Sequence, residues 1–441
     1  METKDLTRGS IGKELFYLAL PLMLANLVNI AYNMIDMFFI GMSGDEALSA
    51  VGTAGLYLWL ASSVVYFSKQ GMETLLSQSI GRGNVHESRD IIKTGVSINV
   101  VISVLYTLVM LLFAGPLIYV FNLESQVIND MAIIYLRIAS FAILFMMINQ
   151  NLMSIFQARG QTKQVLIYNG IGLVVNMLLD PLLIITLDLG AAGAAIATVV
   201  ANALVFIISV VSLLKYDRQF KEPARFVRLI AGRIMRISIP TGTYQVFFTF
   251  VAMIISTYAI TYGDNVIAAQ RIGSQVESLS WMFASGLGIA CGVFTGQNYG
   301  AKNKERIDKA YKYLFRFSTV YGIFLLWLFI AKADPMMRLF TDSNEIVAIG
   351  VNYFYALSVS QVFTLYEGIG SGYFNGYGLT KIPSFFSISG NVLRIILVIG
   401  FSLAIGLNGI WIGISLSGIY RGLGLIICKV IYDKRGKMDI V

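Results

Sequence analysis

The chain has 441 residues, of which 56% are hydrophobic and only 13% charged, against roughly 25% charged in a soluble globular domain. A soluble enzyme is thereby excluded, and so is a disordered chain, because the 12% aromatic residues sit in long apolar runs. The formal net charge of +8 would point to nucleic acid only if the basic residues gathered on one folded face, whereas they lie between the apolar runs.

A helix needs about 20 apolar residues to cross a ~30 Å hydrocarbon core. Measured against that length, and against breaks at Gly, Pro and charge clusters, the sequence predicts twelve spans: 15–40, 52–78, 92–114, 132–157, 165–187, 191–214, 235–261, 267–297, 313–331, 346–374, 383–405 and 409–430. The first run is too long for a signal-peptide core and has no small-residue cleavage pattern, so it is expected to stay as the first helix. The expected fold class is an all-α integral membrane protein.

Lys and Arg accumulate in cytoplasmic loops. Here 26 of the 33 fall on one side, in loops or within three residues of a span end, two (Lys332 and Arg338) fall on the other, and five (Lys69, Arg137, Arg271, Arg394 and Arg421) fall deeper inside predicted spans. Both termini are therefore expected in the cytoplasm, in the plasma (inner) membrane, and the basic balance reflects topology. No nucleic-acid partner is expected; the partners are the bilayer and a small molecule.

The longest polar stretch, Lys215 to Arg236, divides the chain into an amino-terminal six-helix bundle (1–214), a cytoplasmic linker (215–234) and a carboxyl-terminal six-helix bundle (235–441). The halves match in order. At an offset of 219, Leu20-Pro21 recurs as Ile239-Pro240, and Gln78-Ser79-Ile80-Gly81 with Asn84 recurs as Gln297-Asn298-Tyr299-Gly300 with Asn303. At 218, Phe156, Gly160, Thr162 and Lys163 recur as Phe374, Gly378, Thr380 and Lys381. Six spans per half give both repeats one orientation, related by an axis along the membrane normal, and two such bundles are expected to enclose a cleft.

A charge inside a bilayer costs several kcal/mol unless it is paired, neutralised or hydrated. Five acids fall inside predicted spans: Asp36, Glu73, Asp180, Glu277 and Glu367. Lys69, one turn before Glu73, is expected to pair with it. Glu367 lies toward the cytoplasmic end of span ten, as a cavity wall or a packing residue. Asp36 and Asp180 agree in depth, ~7 Å and ~10 Å from the outer ends of their spans at a helical rise of 1.5 Å. Asn176 lies one turn before Asp180, and Pro181 withholds a backbone amide just after it. Span six opens on Gly190-Ala-Ala-Gly193-Ala-Ala, which permits close helix approach, and Thr198 follows at matching depth. Two carboxylates, an amide oxygen and a hydroxyl suit a hard cation such as Na⁺, or a shared proton. Asp36, Asn176, Asp180 and Thr198 are thus the candidate cation ligands, and would be the metal site if the ion is Na⁺.

His86 is expected in a solvated loop, and with Cys291 and Cys428 in apolar stretches neither a disulfide framework nor a His/Cys metal centre can be assembled. The repeat Gly288, Gly292, Gly296, Gly300 marks a helix-packing face. The cluster GIGSGYFNGYG has no Gly-Lys-Ser/Thr after it and is read as helix, not as a phosphate loop.

The runs LALPLMLANLVNIAYNMIDMFFIG, GMETLLSQSIGRGN, NMLLDP with LGAAGAAIATVVAN, and GQNYGAKNKER resemble the multidrug and toxic compound extrusion (MATE) family over essentially the whole chain. The resemblance implies a cation-coupled antiporter of organic, commonly cationic, cargo that alternates between outward and inward openings. It carries the family's amino-terminal cation site onto Asp36, Asn176, Asp180 and Thr198, the family's bending proline onto Pro21, and a substrate- or proton-handling glutamate onto Glu277, with Glu367 a further substrate-binding candidate. Where some members place an acid on the outer part of the tenth helix, this chain has Thr364. No enzymatic activity and no cofactor beyond a coupling ion, Na⁺ or H⁺, is expected, and a monomer is expected. A lipid-linked precursor flippase of the same superfamily is the alternative reading. An intramembrane aspartyl protease is the remote one, because Asp180 follows Leu178-Leu179 in place of Gly-x-Gly.

Overall fold

The structure, a computed structural model, describes residues 4–123, 125–216 and 225–434. All its regular elements are helical: α1 Ile11–Met42, α2 Asp45–Val64, α3 Tyr66–Gly81, α4 Val85–Leu112, α5 Ala114–Tyr119, α6 Gln126–Ala158, α7 Thr162–Asp180, α8 Gly190–Tyr216, α9 Arg228–Ile260, α10 Asp264–Gly300, α11 Lys304–Ala331, α12 Ala333–Arg338, α13 Asn344–Tyr377, α14 Lys381–Ile405 and α15 Leu407–Lys434. Twelve spans are long and apolar enough to cross a membrane, α2 and α3 together making the second. Each overlaps its expected segment. Most run a turn or more beyond the apolar stretch, because capped polar turns continue the helix into water. Part of the linker, 217–224, and the carboxyl terminus, 435–441, lie outside the described residues.

The repeat is visible in the element boundaries. The short helices α5 and α12 begin 219 residues apart, as do α4 and α11. Asn84 caps α4 by accepting the Glu87 amide at 3.1 Å, and Asn303 caps α11 by accepting the Arg306 amide at 3.2 Å. Gly44 and Gly263, before α2 and α10, hold φ of 107° and 109°, a region closed to most L side chains. The paired Gln/Gly/Asn elements of the sequence are therefore helix ends and caps.

The chain forms two compact units, one of residues Leu20–Gly242 with the residues before Leu6, the other of Leu6–Ala19 with Thr243–Val441. Each unit recruits the lead-in segment of the other half, which apolar periodicity alone does not reveal. The α1 helix changes unit between Ala19 and Leu20, beside Pro21, and α9 changes unit between Gly242 and Thr243, beside Pro240. In the second unit Gln297 accepts the Leu6 amide at 3.1 Å, and Asn298 and Arg306 donate to the Leu6 carbonyl at 3.2 and 3.0 Å. In the first, the Arg225 amide donates to Asp90 at 3.3 Å, the Val227 amide to Thr94 at 3.1 Å, and Arg233 pairs with Glu87 at 3.2 Å.

Within the second unit α10 and α13 touch backbone to backbone. A Cβ on Gly372 would lie 2.1 Å from the Gly288 carbonyl oxygen, and one on Gly368 2.4 Å from that of Ala284. The glycine repeat of α10 and the GIGSGYFNGYG cluster of α13 are the two sides of one close contact, as expected of small-residue faces in membrane helices. Large apolar side chains such as Val104, Leu108, Val320, Ile323 and Leu403 face outward. Together with twelve apolar helices, they make this a multi-pass membrane protein.

Candidate functional site

The first unit assembles the four candidate oxygen ligands from three helices. The α7 helix ends at Asp180, and Pro181 opens one wider turn, Pro181–Thr186, of the π type that recurs at functional sites. Asn176 and Asp180, one turn apart, are both fully buried, and the Asn176 Nδ2 donates to Asp180 Oδ1 at 3.1 Å. The α8 helix comes close because Gly193 has no Cβ: one there would lie 2.6 Å from the Leu183 carbonyl oxygen. This close approach carries Thr198 in. Its hydroxyl donates to the Ala194 carbonyl at 2.9 Å, so its lone pairs remain available.

Asp36 arrives on α1, within electrostatic reach of Asp180, and Tyr32 and Tyr135 interact with both carboxylates. Tyr32, one turn before Asp36 on the same face, was legible from spacing; Tyr135, on α6, carries no such signal. Asp36 Oδ1, Asp180 Oδ2 and Asn176 Oδ1 are enclosed without a hydrogen-bond partner. Carboxylate and amide oxygens only accept, so they cannot satisfy one another. Neither aspartate takes part in an ion pair among the described residues. A buried Asp180 and a half-buried Asp36, each with one enclosed oxygen left unpaired, favour a positive charge between them, and this donor set fits an oxygen-seeking cation or a proton.

The expected Lys69–Glu73 pair does not form. Both side chains are buried, but Lys69 turns back toward the Tyr66 ring, its Nζ 5.1 Å from the centroid, and the ion pairs of the described residues do not include it. A ring face three residues away competes with a carboxylate four residues away.

The second unit holds the other two candidates. Glu277 on α10 accepts from the Tyr353 hydroxyl at 2.6 Å, the Trp281 indole at 3.2 Å and Gln361 at 3.5 Å, all neutral donors. Glu367 on α13 is instead bonded to Arg421 at 3.0 Å, with Ser387 at 3.2 Å on its other oxygen. Sequence placed both residues inside spans without connecting them, since α13 and α15 meet only in the fold. The ion pair accounts for the burial of Glu367 without a ligand.

The MatE family model matches this chain twice, over residues 21–182 and again over 240–399, starting points 219 residues apart, the offset of the internal repeat. The chain is 27% identical to the "Probable multidrug resistance protein NorM" of Thermotoga maritima, over 97% of this chain and 93% of that protein. It is 24% identical to the "Probable multidrug resistance protein YpnP" of Bacillus subtilis, over 95% of each. A crystal structure described as a MATE in the bent conformation superposes with a TM-score of 0.91 at 22% identity, over 100% of both chains, a likeness of fold.

Proposed function

We propose that this chain, which belongs to the MatE family, is a cation-coupled antiporter that exports organic, cationic drugs or metabolites by alternating access, driven by Na⁺ or H⁺. The observation that carries the reading is the convergence of orphaned oxygens from Asp36, Asn176 and Asp180, with Thr198 beside them. A site that demands a positive charge and sits on three spans suits a coupling ion. Its loading changes the charge of the first unit and so biases a conformational equilibrium, provided the two openings differ in their affinity for it. The names of the two relatives support drug export. In purified form, reconstituted in vesicles, the protein is expected to export a fluorescent organic cation when a Na⁺ gradient or a pH gradient is imposed, and to stop when that gradient alone is collapsed. Export indifferent to both gradients would exclude antiport.

Glu277 is the proposed cargo carboxylate. Its hydrogen-bond donors are all neutral and Arg394 acts on it only through space, without an ion pair, so its charge remains available to a cation in a low-dielectric setting. Glu277→Gln is expected to weaken export of a permanently charged dye about tenfold, the loss of roughly one charge-assisted contact, and that of a neutral dye far less. Equal losses would make Glu277 structural. Glu367 supports the same region through Arg421.

Pro21 is proposed as the bending point of α1: it withholds the amide that would bond the Tyr17 carbonyl, one turn earlier, at the place where α1 changes unit. The protein acts as a monomer in the inner membrane with both termini cytoplasmic, as the basic residues indicate. Single cysteines at positions 225 and 264, probed in intact cells with an impermeant thiol reagent, are expected to label at 264 only. Labelling at 225 alone reverses the topology.

A further inference from the structure

Arg394 on α14 is 7% exposed, inside a membrane span. Its Nε donates to the Ser417 hydroxyl at 2.9 Å, and its guanidinium carbon lies 5.9 Å from the centre of the Phe248 ring. A guanidinium carries five N–H donors, and among the described residues only this one has a protein acceptor. No carboxylate is paired with it. The contrast with Arg421 is direct, because that side chain bonds Glu367 at 3.0 Å and Asn391 at 3.4 Å. Arg394 also feels Arg421, Glu277, Glu367 and Tyr353 through space. Both glutamates, however, are committed elsewhere: Glu367 to Arg421 and Ser387, Glu277 to Tyr353, Trp281 and Gln361.

The internal repeat sharpens the point. The Phe156/Phe374 element fixes a register of 218 residues, and α7 and α14 run on unbroken, so Arg394 stands where the first half has Asn176, and Val398 where it has Asp180. At the offset of 219 that relates α1 to α9, Ile255 stands where it has Asp36. The second half thus replaces an oxygen-rich, cation-seeking set with a fixed cation whose donors are largely unused. Beside it, Phe248 and Trp281 form a ring pair with centroids 5.8 Å apart, and Trp281 is 37% exposed.

We propose that the second unit carries an oxyanion subsite centred on the Arg394 guanidinium, which takes the carboxylate or phosphate of a flat aromatic ligand lying against Trp281. A planar guanidinium matches either oxyanion through paired N–H donors. The Trp281 indole donates to Glu277 at 3.2 Å, which fixes the ring as a shelf. The subsite deepens the exporter reading by naming a cargo class, and it is testable without transport.

The test uses the purified full-length protein in detergent and calorimetric binding of four probes with one ring system: 2-naphthoate, 2-naphthyl phosphate, methyl 2-naphthoate and a 2-naphthyl trimethylammonium salt. The wild type is expected to bind one or both anions at least tenfold more tightly than the neutral ester, their ratio telling carboxylate from phosphate. Arg394→Gln brings the anions down to the affinity of the ester, while Arg394→Lys retains most of the preference. Equal binding of ester and anions by the wild type overturns the proposal, as does an Arg394→Gln variant that elutes as a single species and weakens all four probes alike. Should Arg394→Gln fail to fold, the wild-type comparison and Arg394→Lys decide. The trimethylammonium probe reports separately on the cationic-cargo reading, which fails if that probe does not bind.

Discussion

Asp180→Asn is expected to abolish gradient-driven export and to leave a folded, membrane-inserted protein that still binds cargo. Asn has the shape of Asp, and its carbonyl oxygen can keep the hydrogen bond from Asn176 that spans 3.1 Å in the native chain. What it loses is the charge, and its amide turns a donor toward the place of the orphaned Oδ2. If the site loads an ion, the variant mimics its loaded form permanently. Carrying a two-state population from 1:99 to 99:1 takes roughly 5.5 kcal/mol of differential ligand affinity, and a site that no longer takes up or releases an ion supplies none of it. Asp36→Asn has the same effect by the same argument. The double variant is expected to be no worse than either single one, since the losses of two carboxylates that act as a unit do not add. Export is measured in vesicles under an imposed Na⁺ or pH gradient, and binding is measured separately on purified protein. If both single variants export at the wild-type rate under either gradient, the coupling site is elsewhere.

Thr198→Ala separates the two coupling ions. The hydroxyl spends its proton on the Ala194 carbonyl and offers only lone pairs, which a coordinated Na⁺ uses and a proton shared between carboxylates does not. Loss of such a contact to a charged group is worth roughly 1.5–3 kcal/mol. Sodium dependence is thus expected to weaken about tenfold or more if Na⁺ is the ion, and pH-driven export to continue nearly unchanged if H⁺ is.

Much of this was legible in the sequence for one physical reason: a bilayer imposes a length. Each apolar run had to be about 20 residues long, and each buried acid had to stand out against it. Asp36 and Asp180 were found by depth, and Asn176 by the helical period, since neighbours one turn apart share a face whatever the tertiary context. What depth and period do not encode is partner choice. Lys69 and Glu73 had the spacing of a pair, yet Lys69 took the Tyr66 ring. Glu367 and Arg421 are 54 residues apart and meet only because α13 packs on α15. Tyr135 joins the aspartates from α6 for the same kind of reason. The exchange of lead-in segments was invisible because apolar periodicity says that a face is buried and not against which helix. The Gln297-Asn298 pair was noticed as a repeated motif, and only the fold shows it gripping the backbone at Leu6.

Gly372→Ala is expected to cause the largest stability loss of any single methyl added to the α10–α13 contact. An added Cβ falls 2.1 Å from the Gly288 carbonyl oxygen and 3.0 Å from Cys291 Cβ. The first is backbone in the middle of a helix and cannot rotate away, so the two helices must separate. Overpacking of this kind costs typically about 1–3 kcal/mol, and separation also forfeits the dispersion contacts along the rest of the seam. The loss is expected to scale with the approach: smaller for Gly288→Ala, whose Cβ meets the Gly368 carbonyl oxygen at 2.8 Å, and least for Gly292→Ala, at 3.3 Å from that of Gly372. Gly400→Ala on α14 is the control, because nothing lies within 4 Å of its Cβ and Ala favours a helix over Gly by about 1 kcal/mol. It should leave stability unchanged or raise it. Thermal unfolding of the purified variants in one detergent gives the order. A Gly372→Ala protein as stable as Gly400→Ala would mean that α10 and α13 do not meet backbone to backbone.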